Sequence, residues 1–342
     1  MKRKRLLSGI RILFLCLFAF SGKVFGQGDV ADLVQASPAD ATKLAGAYLN
    51  PLFKGIGFGM NSAWYNSAKT KNLGRFDLKI QATGAFVPTS DRSFDVRSLN
   101  LENIEPALGA NPVTPTAFGK DETGAELQIT DNNGIPIPTA TFNMPSGLGY
   151  NIVPSPQVQL TVGLIKNTDL SLRFTPKVGG DDFGKLGSWG VGLKKEISTL
   201  LPGKTEKLLP VDISIAAGYN QINYDYEVPA DEQSGGDANQ RVEGQFSGFT
   251  VDAIVSKKLA VFTPFLSVGF NSAKTKLDML GDYETATGEV FTDPIKIRQN
   301  DISGVRANVG FSLHLAFFRL YGAYSIGEYQ AVSAGIGFGI GS

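Results

Sequence analysis

Apolar and polar residues alternate with a period of two through most of the chain beyond residue 55. The clearest stretches are 76–83, 211–220, 249–256, 305–314 and 332–340. That period is typical of β-strands that present one apolar face and one polar face. Many of the stretches exceed the ~5–6 residues of an average soluble strand. The pattern therefore favours an antiparallel transmembrane β-barrel over a soluble β-sandwich.

The alternation also predicts how many strands the barrel contains. Direct candidates lie near 55–66, 74–87, 156–165, 168–176, 186–198, 210–226, 243–256, 259–273, 301–314, 316–327 and 329–341. Bacterial single-chain barrels have an even number of strands, so we place a further strand at 93–101. A hairpin of Leu127–Thr130 and Ile135–Thr141 is an alternative addition, although its prolines suit an outer loop better. We expect an all-β barrel of about 12 strands, with about 14 as the alternative.

The stretch before this alternation, residues 27–54, has the period of a helix. Ser37 is a favourable N-cap and Pro38 a favourable first helical residue. Ala41, Leu44, Ala45, Tyr48 and Leu49 share one apolar face, and Asn50-Pro51 predicts the helix end. Two interpretations are open: a plug inside the barrel, or a periplasmic segment packed on its base.

Residues 1–26 have the pattern of a signal peptide, with cleavage before Gln27. A basic stretch precedes a short apolar core at 12–20, shorter than the ~20 residues of a spanning helix. An uncleaved membrane anchor is the alternative. Cleavage would remove Cys16, the single cysteine, and only basic charges. The remaining acidic excess argues against nucleic-acid binding. We expect signal-peptide-directed export to the outer membrane of a Gram-negative cell.

Catalytic and metal chemistry have few candidate residues. The chain holds one histidine, His314, so a Ser-His-Asp site or a zinc cluster is not expected. The acidic loops around 225–237 and 278–293 could bind Ca²⁺ or could be ordinary solvated loops. We expect no enzyme, no catalytic residue, no metal and no cofactor.

Charged residues at alternate strand positions are candidates for the barrel interior. They could line a polar pathway or pair with one another to fill the lumen. The lumen-lining candidates are Asp77, Lys79, Asp212, Asp252 and Arg306.

The last strand carries a different kind of signal. Gly335, Phe338 and Ile340 lie at alternating or near-terminal positions that resemble the C-terminal β-signal of outer-membrane proteins. Such a strand can pair with another protein through its backbone. The expected partners are the barrel-assembly machinery and the lipid bilayer.

Several longer runs resemble a family of uncharacterised outer-membrane barrel proteins of the Bacteroidetes. The runs are 48–66, Phe86-Val-Pro, 187–194, Leu201-Pro and 209–219. An N-terminal plug followed by a mid-sized barrel is also similar in architecture to the FadL-type long-chain fatty-acid transporters. That second likeness implies no ligand residues, because fold analogy does not determine function.

Two functions follow as hypotheses. The first is passive transport of small molecules, hydrophobic ones foremost, through a plugged barrel. The second is a non-transporting surface or envelope-structure protein that acts through its extracellular loops, chiefly 102–155.

Overall fold

The structure is a computed structural model that describes residues 37–131, 133–180, 184–198, 211–228, 239–284 and 290–339. The predicted signal peptide, residues 1–26, lies outside this range, as does Ile340.

Ten antiparallel strands form a closed barrel, each paired with its neighbours along the chain. The strands are β1 (Phe76–Phe86), β2 (Ile152–Leu164), β3 (Thr168–Gly180), β4 (Gly184–Glu196), β5 (Asp212–Glu227), β6 (Arg241–Ser256), β7 (Phe262–Leu280), β8 (Ile295–Leu315), β9 (Phe318–Ile326) and β10 (Gln330–Gly339). The barrel closes between its first and last strands, with Asp77 opposite Gly339 and Phe86 opposite Gln330. Closure leaves no unpaired edge, which a sheet inside a lipid bilayer requires.

The even number of strands is confirmed, but the predicted count of about 12 is wrong. Two of the predicted strands do not belong to the barrel. Residues 55–61 are helical and continue into an irregular stretch. Residues 93–101 contribute only the short strand Ser93–Asp95, which pairs with Val113–Pro115 outside the barrel. The other direct candidates match the ten barrel strands.

The wall is apolar outside and polar inside. In β1, Leu78 and Ile80 are exposed, whereas Asp77 and Lys79 are only 6% and 3% exposed. The same inversion recurs around the barrel, with exposed Leu172, Val251 and Val309. In water this arrangement would be unfavourable, since exposed apolar patches of this extent are rare on soluble monomers. The outer surface therefore suits a lipid environment.

Among the described residues, one helix, α1 (Pro38–Asn61), precedes the barrel. Its predicted start is confirmed, because the Ser37 side chain accepts a hydrogen bond from the Asp40 N–H at the N-terminus. Its predicted end at Asn50-Pro51 is wrong, since the helix continues through Pro51. Pro51 has no N–H to donate to the Ala47 carbonyl. The neighbouring Tyr48 carbonyl accepts a hydrogen bond from the N–H of Ala117 in the following loop at 3.0 Å, so a tertiary contact holds the helix one residue from this position.

Within the described ranges, no helix combines the length and apolar character needed to cross a membrane.

Residues 87–151, which we call the cap, fold over one end of the barrel between β1 and β2. Three short strands, Ile104–Pro106, Glu126–Thr130 and Pro136–Asn143, form a small sheet there. The hairpin of the second and third strands therefore lies outside the barrel, as we preferred from the sequence. Buried side chains of the cap and of α1 share one apolar core, which includes Tyr48, Leu127 and Met144.

We expect the destabilising effect of a charged substitution on the outer face to depend on its position along the barrel axis. Val251 lies within the exposed apolar band of β6, and Gln245 lies on the same face nearer the cap. Val251→Arg should lower the free energy of unfolding from vesicles by about 2–4 kcal/mol, and Gln245→Arg by about 0–1 kcal/mol. Denaturant titration of the protein folded into vesicles measures both. Equal effects of the two changes would contradict an apolar membrane band at this height.

Candidate functional site: the occupied barrel interior

Helix α1 lies across the barrel interior and contacts the wall closely on two sides. A Cβ at Gly55 would lie 2.3 Å from Val153 Cγ2, and one at Gly57 would lie 2.5 Å from the Cβ of Ala273. Residues two apart point to different sides of a helix. Val153 belongs to β2 and Ala273 to β7, which lie opposite each other around the barrel. Glycine is therefore required at both positions for the helix to fit between the walls.

The helix ends inside the barrel, where its last carbonyl groups have no helical partner. Arg173 of β3 donates to the carbonyls of Met60 and Ser62 at 2.7 and 2.9 Å. Arg306 of β8 donates to the carbonyl of Asn61 at 2.9 Å. A helix C-terminus carries partial negative charge, so two guanidinium groups there are favourable. These buried cations thus satisfy both the hydrogen bonding and the charge of the helix end.

Two neutral side chains complete the binding of the helix end. The Gln157 amide donates to the Gly59 carbonyl at 2.8 Å, and the Asn220 amide donates to the Met60 carbonyl at 2.9 Å. The donors come from β2 and β5, so several sides of the wall converge on one helical turn.

Residues 62–71, which we call the lumen segment, continue along the interior beyond the helix. Lys79 donates to the Ala63 carbonyl at 2.7 Å and to Asn66 Oδ1 at 2.8 Å. Lys194 donates to the carbonyls of Ser67 and Lys69 at 2.9 and 2.8 Å. Cations on the wall therefore bind carbonyl groups of this segment as well.

Acidic wall residues bind the amide groups of the same segment. Glu196 accepts from the N–H and hydroxyl of Thr70 at 3.0 and 2.7 Å. Asp169 accepts from the N–H of Lys71 at 2.8 Å. Each buried backbone group bound in this way avoids the cost of burial without a partner. The wall thus matches the polarity of the segment group by group.

An aromatic pair anchors the middle of the lumen segment. The guanidinium of Arg173 stacks over the Trp64 ring, with its central carbon 3.8 Å from the ring centroid. A Cβ at Gly218 would lie 2.6 Å from Trp64, and one at Gly192 would lie 2.6 Å from the Tyr65 hydroxyl. Bare backbone at these wall positions leaves room for the two rings.

A further set of contacts joins α1 to the barrel mouth and the cap. Lys54 forms ion pairs with Asp91 at 3.2 Å and with Glu328 at 3.0 Å. The Tyr329 hydroxyl donates to the same Asp91 carboxylate at 3.0 Å. The cap, the helix and the connection between β9 and β10 are therefore linked at one carboxylate.

The first turns of α1 are bound to the cap. The buried carboxylate of Asp40 accepts from the N–H groups of Glu102 and Asn103, at 3.0 and 2.7 Å. The Tyr48 hydroxyl donates to the Ser146 carbonyl at 2.8 Å. Burial raises the pKa of Tyr48 to about 12, so the hydroxyl keeps its proton and remains a donor.

The lumen-lining candidates from the sequence all have described positions. Asp77 accepts from Arg319 at 2.9 Å, and Asp252 pairs with Arg306 at 3.3 Å. Lys79 binds the lumen segment. Asp212, the half-buried first residue of β5, pairs with Lys69 at 3.5 Å.

Sequence reasoning did not single out most of the residues that hold the end of α1 and the lumen segment. They are Gln157, Gln159, Asp169, Arg173, Lys194, Glu196 and Asn220. Their signal was present, because Asp169 and Arg173 alternate with Leu170, Leu172 and Phe174 in a predicted strand.

The residues of the expected assembly signal lie on the closing strand. Gly335 is opposite Gln81, and Phe338 is opposite Leu78. Phe338 also packs edge-on against Phe318, with ring centroids 5.4 Å apart. Recognition by an assembly machinery stays a prediction.

Two small cavities lie between the wall and the lumen segment. One cavity of about 10 Å³ lies beside Trp64 and Asp252, and one of about 50 Å³ lies beside Lys71 and His314. Drug-sized ligands occupy pockets of about 300–1,000 Å³. Among the described residues, no group of histidine, cysteine or carboxylate side chains could hold a metal ion.

The sequence matches the profile of a family described as a family of unknown function (DUF6588) over residues 1–340, so the chain belongs to that family. The resemblance to a known family is thereby confirmed, and the Bacteroidetes origin stays a prediction. A comparison with curated proteins finds no match.

Solved structures with a related arrangement include three bacterial proteins. Ail, the attachment invasion locus protein of Yersinia pestis, is 8% identical with a TM-score of 0.27, covering 78% of this chain and 98% of Ail. The outer membrane transporter YddB from Escherichia coli is 13% identical with a TM-score of 0.29. That match covers 75% of this chain but only 39% of YddB. The Pseudomonas putida toluene transporter TodX is 8% identical with a TM-score of 0.27, covering 86% and 75%. Likenesses with scores this low carry no argument about function.

We expect Arg173 to be essential for holding the helix end inside the barrel. Arg173→Met should lower the free energy of unfolding by about 3 kcal/mol or more, because hydrogen bonds to charged groups contribute about 1.5–3 kcal/mol each. The control is Arg241→Met, which removes an exposed arginine paired with Glu243 and should leave stability near that of the unmodified protein. Denaturant titration measures stability, and limited proteolysis after Trp64 or Tyr65 measures release of the lumen segment. Protection equal to that of the control would show that Arg173 does not hold it.

Proposed function

We propose that this member of the DUF6588 family is an outer-membrane barrel of a Gram-negative cell, and that α1 and the lumen segment act as its plug. Small molecules pass through the barrel once the plug leaves the lumen. The supporting observation is the match between wall and plug, in which arginine and lysine donors bind plug carbonyls while carboxylates bind its amides.

The membrane location is supported by the inverted wall. Exposed apolar side chains surround the barrel at the level where the buried neighbours are charged or polar. Only a helix or a closed barrel satisfies its backbone groups in lipid, and this barrel is closed.

The kind of molecule that passes follows from the wall left behind by the plug. Without the plug the interior would present arginine, lysine, glutamine and carboxylate side chains, which solvate polar solutes well. The polar wall therefore supports passage of small polar molecules better than of the small hydrophobic ligand that the sequence suggested.

We expect removal of the plug to open the barrel. A chain that starts at Asn72 keeps every barrel strand, since β1 begins at Phe76. In planar bilayers this variant should give stable conductance steps, whereas the intact protein should remain closed.

A reversible lock supplies the control. Gly59 on α1 faces Ser155 on the wall, with a Cβ-to-Cβ distance of 2.7 Å after addition of a Cβ at Gly59. A disulfide needs about 3.5–4.5 Å, so Gly59→Cys with Ser155→Cys requires a shift of about 1 Å. Any openings of the intact barrel should vanish on oxidation and return on reduction. A shortened chain as silent as the locked protein would rule out passage through the lumen.

A second function is supported by the cap. Its buried side chains and those of α1 form one core, so a sizeable folded body sits on the barrel mouth. Such a body suits a surface or envelope-structure protein that acts through its cap.

We expect the two functions to separate when the cap is shortened. Replacing residues 107–124 by a short Gly-Ser linker keeps the contacts of Asp40 with residues 102 and 103. For a surface protein this variant should lose cell adhesion or detergent resistance and leave conductance of the plug-deleted barrel unchanged. Unimpaired adhesion and resistance in cells carrying it would exclude a role for this part of the cap.

A further inference from the structure

The larger of the two cavities described above lies at the end away from the cap, between the lumen segment and strands β1 to β4, β8 and β9. Its volume is about 50 Å³, whereas about 10–15 Å³ suffices for one water molecule. Lys71 and Lys79 line it together with Ser312, His314 and Arg319. It therefore has room for several waters or for one small ion.

Positive charge around this cavity exceeds negative charge. Three of its lining cations have carboxylate partners: Arg319 pairs with Asp77 at 2.9 Å, Lys194 with Asp169 at 3.1 Å, and Lys69 with Glu196 at 3.1 Å. Within the described part of the chain, Lys79 forms no ion pair with a carboxylate, although it is only 3% exposed. Burial without a counter-charge disfavours the protonated form of a lysine, so a bound anion would stabilise that form of Lys79.

Lys71 contributes a second positive charge without a carboxylate partner. Its backbone N–H binds Asp169, but its ammonium group forms no ion pair within the described ranges. The two lysines therefore leave a local excess that the described wall does not neutralise.

Two polar atoms at the cavity have no partner of their own. Ser312 is 1% exposed, and its hydroxyl has no hydrogen-bond partner among the described residues. The same holds for Nδ1 of His314. Both groups can donate a hydrogen bond, as an anion requires.

We propose that this cavity binds a small tetrahedral oxyanion such as phosphate or sulfate. Lys71 and Lys79 supply the charge, and Ser312 and His314 supply directed donors. The cavity volume favours a free ion over the headgroup of a lipid, whose chains would have to remain outside. Residues of the lumen segment line the cavity, so anion binding requires the plugged barrel. Anion binding can therefore be measured whether or not the barrel conducts.

The two tryptophans of the chain permit a direct test. Trp64 lines the cavity, and Trp189 is exposed on the outer wall, so Trp189→Phe leaves one reporter at the site. The folded variant in detergent is titrated with inorganic phosphate against chloride at constant ionic strength. We expect a saturable change in Trp64 emission and saturable retention of radiolabelled phosphate in equilibrium dialysis.

Lys71→Met in the same background should weaken phosphate binding tenfold or more. Lys276→Met, an identical change on β7 at the cap end of the barrel, should alter it less than twofold. Sulfate should compete with phosphate. Glycerol phosphate, which carries the chemistry of a lipid headgroup, should bind more weakly.

Three results would overturn the proposal. One is absence of saturable phosphate retention in dialysis. Another is equal binding by the Lys71→Met and Lys276→Met variants. The third is tighter binding of glycerol phosphate than of inorganic phosphate, which would assign the site to a lipid headgroup.

Discussion

The burial of a helix C-terminus inside a barrel is the constraint on which the rest of this structure depends. The terminal carbonyl groups of α1 have no helical partners and no bulk water around them. Arg173 and Arg306 meet this requirement from β3 and β8, strands that lie opposite each other around the barrel. Without the helix end, Arg173 would be a buried cation with no carboxylate partner among the described residues, whereas Arg306 would keep its ion pair with Asp252. The helix end therefore stabilises Arg173 above all, and the two arginines stabilise the helix end.

Barrel width explains why a second piece of chain is present in the lumen. About eight strands are filled by their own side chains, and about sixteen leave a water channel. Ten strands are too wide for the first arrangement and too narrow for the second. A helix with side chains is about 10–12 Å across, and glycines at 55 and 57 reduce its width where it meets β2 and β7. These glycines thus make the helix narrow enough to fit inside a barrel of ten strands.

Most of the wall could be predicted from the sequence, because the alternation of apolar and polar residues is visible within each strand taken alone. The predicted strand at 55–66 was wrong for a specific reason. Glycine and apolar residues also alternate there, as they would in a strand. These glycines instead allow a helix to approach two opposite sides of the wall. That choice depends on Val153 and Ala273, which are distant in sequence. The partners of the lumen segment were missed similarly, since alternation places Arg173 inside but cannot show which carbonyls it binds.

Plug binding and barrel closure are coupled by this geometry. Asn61 and Arg306 are separated by 245 residues, and Arg306 precedes the strand pairing that closes β1 onto β10. The helix end can therefore be bound from both sides only after most of the wall has formed. Contacts so distant in sequence form late, because loop closure must precede them. In the closed state, the polar groups of both the wall and the plug are therefore no longer hydrated. In the proposed opening, two buried arginines and several carbonyl groups would have to be rehydrated at once, which would make the transition cooperative rather than gradual.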